Sequence, residues 1–380
     1  MLRIGSAARS LLGLAFLFLT VSACLSGEHR SSTFSVPAPG PKEYPAPAEG
    51  DFVVSNFHFR TGETLPEMKI HYRTFGTLLR DGSGRATNAV LLLHGTTGAG
   101  KQLLTPSFAK YLFGAGQPLD VTRYFVIVPD QIGHGASSKP SDGLRAHFPH
   151  YGYQDMVNAT HDLLTTKLGV NHLRLVMGFS MGGSQTWMWG ESYPNFTDAL
   201  MPLASNPIEI GGANRIWRKA IIDAIRSDPD WAGGDYKSQP MKALTTVADI
   251  TMLAPKNAPV YLEHIAPTGP AADDYFEHQV SEQIATMDAN DLLFAFEASA
   301  DYNPEADLPK ITAAMVAVNS ADDYLNPPSL GIIDRDIKRV KNGRFVLVPA
   351  SDRTRGHFTG LQAEFWSNEV ADLLSQSGGH

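Results

Sequence analysis

Six short runs of continuously apolar residues constrain the fold of this 380-residue chain more than any other feature. Runs of strand length without polar alternation are typical of strands that are buried on both faces, as in a parallel sheet covered by helices. Helical segments such as 154–168, whose apolar residues share one face, lie between them. The pattern therefore predicts an α/β fold with a mostly parallel, doubly wound sheet. The six runs are 90–93, 124–128, 173–177, 199–203, 313–318 and 345–348.

Two further segments, 52–60 and 68–72, alternate apolar and polar residues, and we expect them to form antiparallel edge strands. The region 206–307 interrupts the strand pattern, because it contains helical patterns at 216–225 and 280–296 but no buried strand. We expect residues 206–307 to form a helical cap over the carboxyl ends of the sheet. The core would then consist of residues 51–205 and 308–380.

The N-terminal segment has the pattern of a secretion signal. Arg3 and Arg9 precede an apolar run at 11–21, which ends in small residues. This run is shorter than the roughly 20 apolar residues of a transmembrane helix. Residues 1–23 are therefore predicted to be a signal peptide that directs export. Residues 24–50 are polar and rich in proline, which predicts an extended tether without core residues.

Cys24 is the only cysteine of the chain, so no internal disulfide and no cysteine metal site can form. Segment 21–24 resembles the lipobox of bacterial lipoproteins, in which the cysteine becomes the lipidated first residue. The resemblance implies a periplasmic or outer-membrane-anchored protein that meets the membrane only through a lipid at Cys24. The alternative is plain secretion, with cleavage after Ala23 and no lipid.

Residues 178–182 fit the motif G-x-S-x-G. The motif directly follows the apolar run 173–177 and precedes the helical segment 185–193, which is the strand, elbow and helix order that makes it meaningful. Ser180 would then lie at a helix N-terminus, where free backbone N–H groups favour negative charge. We predict that Ser180 is a nucleophile.

A serine nucleophile needs a base and an acid that orients the base. In the strand–elbow–helix arrangement these partners follow in the order serine, acid, histidine. Asp322 and Asp323 follow the run 313–318, and His357 follows the last run. We predict the triad Ser180–His357–Asp323. We prefer Asp323 to Asp322 as the acid, because Asp323 lies four residues before Pro327, which is the usual spacing for the acid of this arrangement.

The oxyanion that forms during acyl transfer needs hydrogen-bond donors. Thr96 follows the strand run 90–93, and Met181 follows the nucleophile, so we assign their backbone N–H groups to the oxyanion hole. His94, His134 and Gly135 are interpreted as structural residues.

The sequence is similar to the homoserine O-acetyltransferase branch of the α/β-hydrolase superfamily over most of residues 51–370. The resemblance implies the α/β-hydrolase fold and a Ser-Asp-His triad at Ser180, Asp323 and His357. It also implies a ping-pong reaction, in which acyl-CoA acylates the serine and an alcohol removes the acyl group. Homodimers formed through the cap are common in that family, while the residue pattern itself leaves the oligomeric state open. The matching stretches are 72–76, 88–98, 148–149, 153–157, 178–189 and, in the cap, 224–236.

The chain departs from that family in the cap, where segment 240–253 lacks the arginine of the family's Gly-Leu…Ala-Arg helix. Acyl-CoA is also a cytosolic metabolite, which an exported enzyme would not meet. We therefore expect first an esterase-like acyl hydrolase that acts on a small ester, thioester or lactone. The alternatives are a homoserine O-acetyltransferase-like acyltransferase that uses acyl-CoA, and a non-catalytic binding lipoprotein on the same fold.

Other function classes fit less well. The net charge of −8 disfavours nucleic acid as a partner. Segment 95–102 is close to a phosphate-binding P-loop, but Gln102 stands where Ser or Thr would hold Mg²⁺. We find no pair of histidines at metal-ligand spacing with a supporting carboxylate, and we expect no metal and no cofactor.

Overall fold

The structure, a computed structural model, describes residues 44–377. The predicted signal peptide, Cys24 and most of the predicted tether lie outside these residues. Within residues 44–377, eight strands form one sheet in the order β1-β2-β4-β3-β5-β6-β7-β8. The strands are β1 (Ala48–His58), β2 (Thr64–Phe75), β3 (Ala89–Leu93), β4 (Phe125–Pro129), β5 (Leu175–Phe179), β6 (Ala199–Leu203), β7 (Ala314–Ser320) and β8 (Gly343–Val348).

The sheet has the predicted mixture of directions. Strands β3 to β8 pair in parallel, whereas β2 pairs antiparallel with both β1 and β4. All residues of β3, β5 and β6 are buried, which explains why their sequences are continuously apolar. The predicted fold class is confirmed. One detail differs, because β2 lies inside the sheet and the edges are β1 and β8.

Helices cover both faces of the sheet, and a large cluster of buried apolar side chains lies on each face. The predicted helix 154–168 consists of α2 followed by a π-helical turn at Leu163–Lys167. The helices are α1 (Pro106–Ala109), α2 (Tyr153–Asp162), α3 (Met181–Ser192), α4 (Gly212–Ser227), α5 (Met241–Leu253), α6 (Pro259–Ile265), α7 (Gly269–Ile284), α8 (Ala289–Glu297), α9 (Ile332–Asp336) and α10 (Ser367–Gln376).

Between β6 and β7 the chain forms helices and no strand, including α4 to α8. The single helical pattern expected at 280–296 is two helices, because α7 ends at Ile284 and α8 begins at Ala289. Asp288 causes the break, since its side chain caps α8 by accepting hydrogen bonds from the backbone N–H groups of Asn290 and Asp291. None of the helices within residues 44–377 has the length and apolar character needed to cross a membrane.

Candidate active site

Ser180 occupies a sharp turn between β5 and α3. Its backbone has φ +55° and ψ −109°, a region that costs a non-glycine residue about 1–3 kcal/mol and is found at functional sites. Neighbouring backbone lies so close to Gly178 and Gly182 that neither position has room for a side chain. A Cβ atom on Gly178 would lie 2.2 Å from the carbonyl oxygen of Gly182, and one on Gly182 would lie 2.2 Å from that of Leu93. The two glycines of the motif are thus required by backbone contact.

The structure brings Ser180, His357 and Asp323 together in one hydrogen-bonded chain. Nε2 of His357 lies 2.8 Å from Oγ of Ser180, and Nδ1 lies 2.9 Å from Oδ2 of Asp323. His357 and Asp323 are 3% and 2% exposed, so the imidazole–carboxylate contact is shielded from water. Neutral His357 can donate from Nδ1 to the carboxylate and accept the serine proton at Nε2. This is the geometry of a serine nucleophile with an oriented base.

The two neighbouring aspartates have different partners. The other oxygen of Asp323, Oδ1, accepts hydrogen bonds from the backbone N–H groups of Leu325 at 2.8 Å and Asn326 at 3.1 Å. The carboxylate is therefore fixed while it faces His357.

Asp322 faces away from the imidazole. Its Oδ2 accepts hydrogen bonds from Oγ1 of Thr354 at 2.8 Å and from the backbone N–H of Gly356 at 3.3 Å. Both donors belong to the loop that carries His357. Asp322 therefore holds that loop, a positioning role that the sequence analysis did not identify.

The two predicted oxyanion donors flank the elbow. Met181 is the first residue of α3, and its N–H has no carbonyl partner within the helix. Thr96 lies in the loop after β3, and its backbone N–H donates to no other residue in the part of the chain that the structure describes. Both groups are thus free to donate to a substrate oxygen, and their role in an oxyanion hole stays a prediction.

His94 and His134 form a buried network behind the Thr96 loop. Burial lowers the pKa of His94 to about 3, so its imidazole is neutral, and Nε2 accepts a hydrogen bond from the backbone N–H of Gln131 at 3.0 Å. Burial also lowers the pKa of His134, whose Nε2 lies 2.8 Å from the carbonyl oxygen of Thr96. The His134 ring therefore packs against the loop that carries an expected oxyanion donor. Gly135 has φ +57° and packs against Asp130.

In the segment that resembles a P-loop, two of the backbone N–H groups that would face a phosphate donate instead to side chains of the protein. The backbone N–H of Gly95 donates to Oε1 of Gln102 at 3.0 Å, and that of Gly100 donates to Oδ1 of Asp130 at 2.7 Å. Asp130 is itself paired with Arg73 at 2.9 Å. These contacts fix the loop that carries Thr96, one of the two predicted oxyanion donors. Among residues 44–377, no group of three or more His, Cys, Asp or Glu side chains is arranged to hold a metal ion.

A cavity of about 170 Å³ lies against Ser180. Its lining includes Arg218, a residue that the sequence analysis did not single out. The sequence does contain a signal for this residue, because Arg218 lies on the apolar face of the amphipathic helix α4. The buried positions that form this face are 214, 217, 218, 221, 222 and 225. An arginine at a core position of an amphipathic helix is unusual and indicates a specific partner.

Comparison with known proteins places this geometry in context. The profile of the alpha/beta hydrolase fold family matches residues 88–239. A homoserine O-acetyltransferase from Chlorobaculum parvum is 32% identical over 253 residues, which are 62% of this chain and 67% of that protein.

Two solved structures have the same fold. The homoserine O-acetyltransferase from Bacillus anthracis has a TM-score of 0.74 and 21% identity, and the match covers 87% of this chain and 98% of that chain. The acetyl esterase MekB has a TM-score of 0.75 and 23% identity, with 86% of this chain and 97% of that chain covered. At these identities the structural likeness shows the fold alone.

Proposed function

Because the chain belongs to the homoserine O-acetyltransferase-like branch of the α/β-hydrolase superfamily and is an enzyme of that fold, we propose that it transfers a short acyl group through an acyl-enzyme on Ser180. The observation that carries the proposal is the hydrogen-bonded chain from Ser180 Oγ through His357 to Asp323, with contacts of 2.8 and 2.9 Å. In the first half-reaction His357 Nε2 takes the proton of Ser180 as Oγ attacks the acyl carbonyl. The backbone N–H groups of Thr96 and Met181 hold the oxyanion, and Asp323 stabilises the imidazolium.

The leaving group departs with the proton from His357 Nε2, which leaves a neutral imidazole and an ester on Ser180. In the second half-reaction an acceptor hydroxyl gives its proton to the same nitrogen and attacks the ester. The bond between the acyl carbon and Ser180 Oγ then breaks, and Oγ takes the proton back from Nε2. The acceptor decides the activity. An alcohol gives acyl transfer, and water gives hydrolysis.

We propose an alcohol acceptor as the first candidate. The curated relatives that support it are named homoserine O-acetyltransferases, at 30–32% identity for relatives of which the chain covers two thirds or more. They favour transfer over the hydrolysis that the sequence analysis placed first. An acetyl group on Ser180 and an alcohol with a small carbon chain suit a cavity of about 170 Å³, since a cavity of about 150 Å³ holds a molecule the size of benzene.

Hydrolysis of a small ester is the second candidate, and one observation favours it. Helix α5, Met241–Leu253, has the sequence MKALTTVADITML and contains no arginine. The arginine that the resembling family carries in this part of the cap is therefore missing. If the enzyme is exported, as the N-terminal segment predicts, acyl-CoA would also be absent from its surroundings.

The test uses the purified chain without residues 1–23, a fluorophosphonate probe, p-nitrophenyl esters of increasing acyl length, and acetyl-CoA with and without homoserine. We expect labelling that is lost in Ser180→Ala, together with a fall in kcat of about 10⁶-fold. Acyl transfer faster than hydrolysis supports the first candidate, and hydrolysis that is independent of acceptor supports the second. Absence of labelling and turnover in the folded wild-type protein would overturn both and favour a binding protein.

A further inference from the structure

Arg218 is a buried cation, and the described part of the chain provides no counter-charge for it. Its side chain lies on α4 and is 3% exposed. Within residues 44–377, no carboxylate oxygen lies within 4.0 Å of its guanidinium, so it forms no ion pair. A guanidinium cannot lose its proton at any pH that a protein survives, so the positive charge must be accommodated where it lies. Burial of such a charge is strongly unfavourable unless it is paired and hydrogen-bonded.

The hydrogen bonds of Arg218 leave part of the guanidinium unused. Nε donates to Oδ1 of Asn214 at 3.0 Å, and Nη2 has a long contact of 3.5 Å with Oγ1 of Thr96. Nη1 is buried and has no partner among the described residues. The rings of Trp217 and Phe296 lie 5.8 and 5.6 Å from the guanidinium carbon, and they add contact but no negative charge.

Arg218 is held in place by the catalytic core. Nδ2 of Asn214 donates to Oδ1 of Asn326 at 3.2 Å, and Nδ2 of Asn326 donates to the carbonyl oxygen of Ala204 at 2.9 Å. Asn326 also donates its backbone N–H to Asp323. The arginine is therefore connected by fixed hydrogen bonds to the acid of the predicted triad.

Arg218 and Ser180 line the same cavity. Glu209 also lines it, but its side chain is exposed and forms no ion pair with Arg218 in the described part of the chain. We propose that Arg218 binds a carboxylate of the substrate beside the Ser180 nucleophile, so that the substrate is a small carboxylic acid derivative. This inference rests on the proposed function, because it treats the cavity as the site of acyl transfer.

A carboxylate fits this position for two reasons. It supplies the missing negative charge, and its two oxygens can accept from both terminal nitrogens of a guanidinium. The carboxylate can belong to the acyl group or to the alcohol. The chemistry at Arg218 is the same in both cases, and the cavity limits either group to a few carbon atoms.

The experiment compares two pairs of esters that differ only in one charge. For the alcohol side, the pair is 4-acetoxybutyrate and its methyl ester. For the acyl side, the pair is p-nitrophenyl hydrogen succinate and its methyl ester. In one of the pairs, we expect the wild-type enzyme to have a kcat/KM at least about tenfold higher for the carboxylate, and that pair identifies the side that carries the charge.

The variants are Arg218→Met, which removes the charge and keeps an apolar side chain, and Arg218→Lys, which keeps the charge. Arg215→Met is the matched control, because Arg215 lies on the same helix and is exposed. In Arg218→Met, the ratio of kcat/KM for the preferred carboxylate to kcat/KM for its methyl ester should fall at least about tenfold. Arg218→Lys should keep part of the preference, and Arg215→Met should keep all of it.

Two outcomes would overturn the proposal. One is the absence of any preference for a carboxylate in the wild-type enzyme. The other is an equal loss for both members of a pair in Arg218→Met, which would mean that Arg218 only supports the Thr96 loop. If Arg218→Met does not fold, the wild-type enzyme and Arg218→Lys still test the proposal. A preference of the wild type for the carboxylate that is reduced in Arg218→Lys supports it, and no preference in the wild type overturns it.

Binding without turnover separates this inference from the proposed function. Calorimetry with Ser180→Ala should detect 4-acetoxybutyrate or ethyl hydrogen succinate, whereas the corresponding methyl ester should bind at least about tenfold more weakly. If the wild type turns over no ester or thioester but this carboxylate binding persists, the proposed function fails and the anion site stands. If turnover depends on Ser180 and no carboxylate binds selectively, the anion site fails alone.

Discussion

At the scale of single residues, Asp322 and Asp323 are adjacent in sequence but their carboxylates face different partners. Asp323→Asn should lower kcat for p-nitrophenyl acetate by about 10⁴-fold, because an amide neither fixes the required tautomer of His357 nor stabilises the imidazolium. Asp322→Asn should keep kcat within about tenfold and lower the free energy of unfolding by about 1–2 kcal/mol, because it weakens contacts to Thr354 and Gly356. Steady-state kinetics and urea unfolding measure the two effects.

A reversed result would show that the wrong aspartate has been assigned. If Asp322→Asn lost more activity than Asp323→Asn at equal stability, the acid would be Asp322 in the working enzyme. Ser180→Ala in the same assay gives the activity that remains without the proposed nucleophile.

Glu191 gives a second prediction for a single residue, on stability and pH. Burial first, and then the charge of Asp307, raise its pKa from 4.5 to about 7, and its Oε2 is buried without a hydrogen-bond partner among residues 44–377. Between pH 4.5 and about 7, the Glu191 carboxyl is therefore protonated in the folded state and ionised in the unfolded state. It follows that this carboxyl makes the protein less stable as pH rises through that range, with the full loss above pH 7.

Glu191→Gln should consequently stabilise the protein at pH 8 by roughly 1–2 kcal/mol, a figure reduced for partial exposure, and should have little effect at pH 4.5. Thermal unfolding at the two pH values measures the difference. Glu277→Gln, an exposed position on α7, is the control and should change Tm at neither pH. Equal changes for Glu191→Gln at both pH values would show that its effect is independent of ionisation.

At the scale of elements, the loop after β3 shows how a sequence motif and its structure can differ. Gln102→Thr completes the P-loop consensus, yet it removes the acceptor for the backbone N–H of Gly95. We expect Gln102→Thr to lower the free energy of unfolding by about 1–2 kcal/mol and to gain no stabilisation from MgATP. Lys101→Met is the control, because Lys101 is exposed. An increase of Tm with MgATP in either wild type or Gln102→Thr would contradict this assignment.

The elements differ in how far the sequence predicts them. Strand β6 lies at the predicted residues, since five consecutive buried positions leave a continuous apolar run. The break between α7 and α8 was not predicted, because apolar residues continue across 280–296 and only the capping contacts of Asp288 end the pattern. Helical periodicity shows which face is buried, but it does not show where one helix stops.

The residues of the candidate site also differ in how far the sequence predicts their positions. The proximity of Ser180, Asp323 and His357 was predictable, because each follows a recognisable strand and parallel strands end at one edge of the sheet. The position of Arg218 beside Ser180 was not predictable, because it depends on how α4 packs against the loop after β3, which lies 122 residues away in the sequence. A single sequence identifies α4 as amphipathic, but it does not reveal which of its buried positions faces a cavity.

At the scale of the whole molecule, cellular location bears directly on the choice between transfer and hydrolysis. We propose that residues 1–23 direct export and that Cys24 carries a lipid anchor, which is why the full-length chain should be found in the membrane fraction of a bacterial host. Cys24→Ser should move it to the soluble extracytoplasmic fraction, because a lipid-modified cysteine is the only anchor that the sequence predicts. A chain lacking residues 1–23 is the control and should stay in the cytosol.

If Cys24→Ser stays with the membrane, the prediction of a lipid anchor is wrong. If the full-length chain stays in the cytosol, the prediction of export is wrong. The enzyme would then have access to acyl-CoA, and the argument for hydrolysis that rests on export would no longer hold.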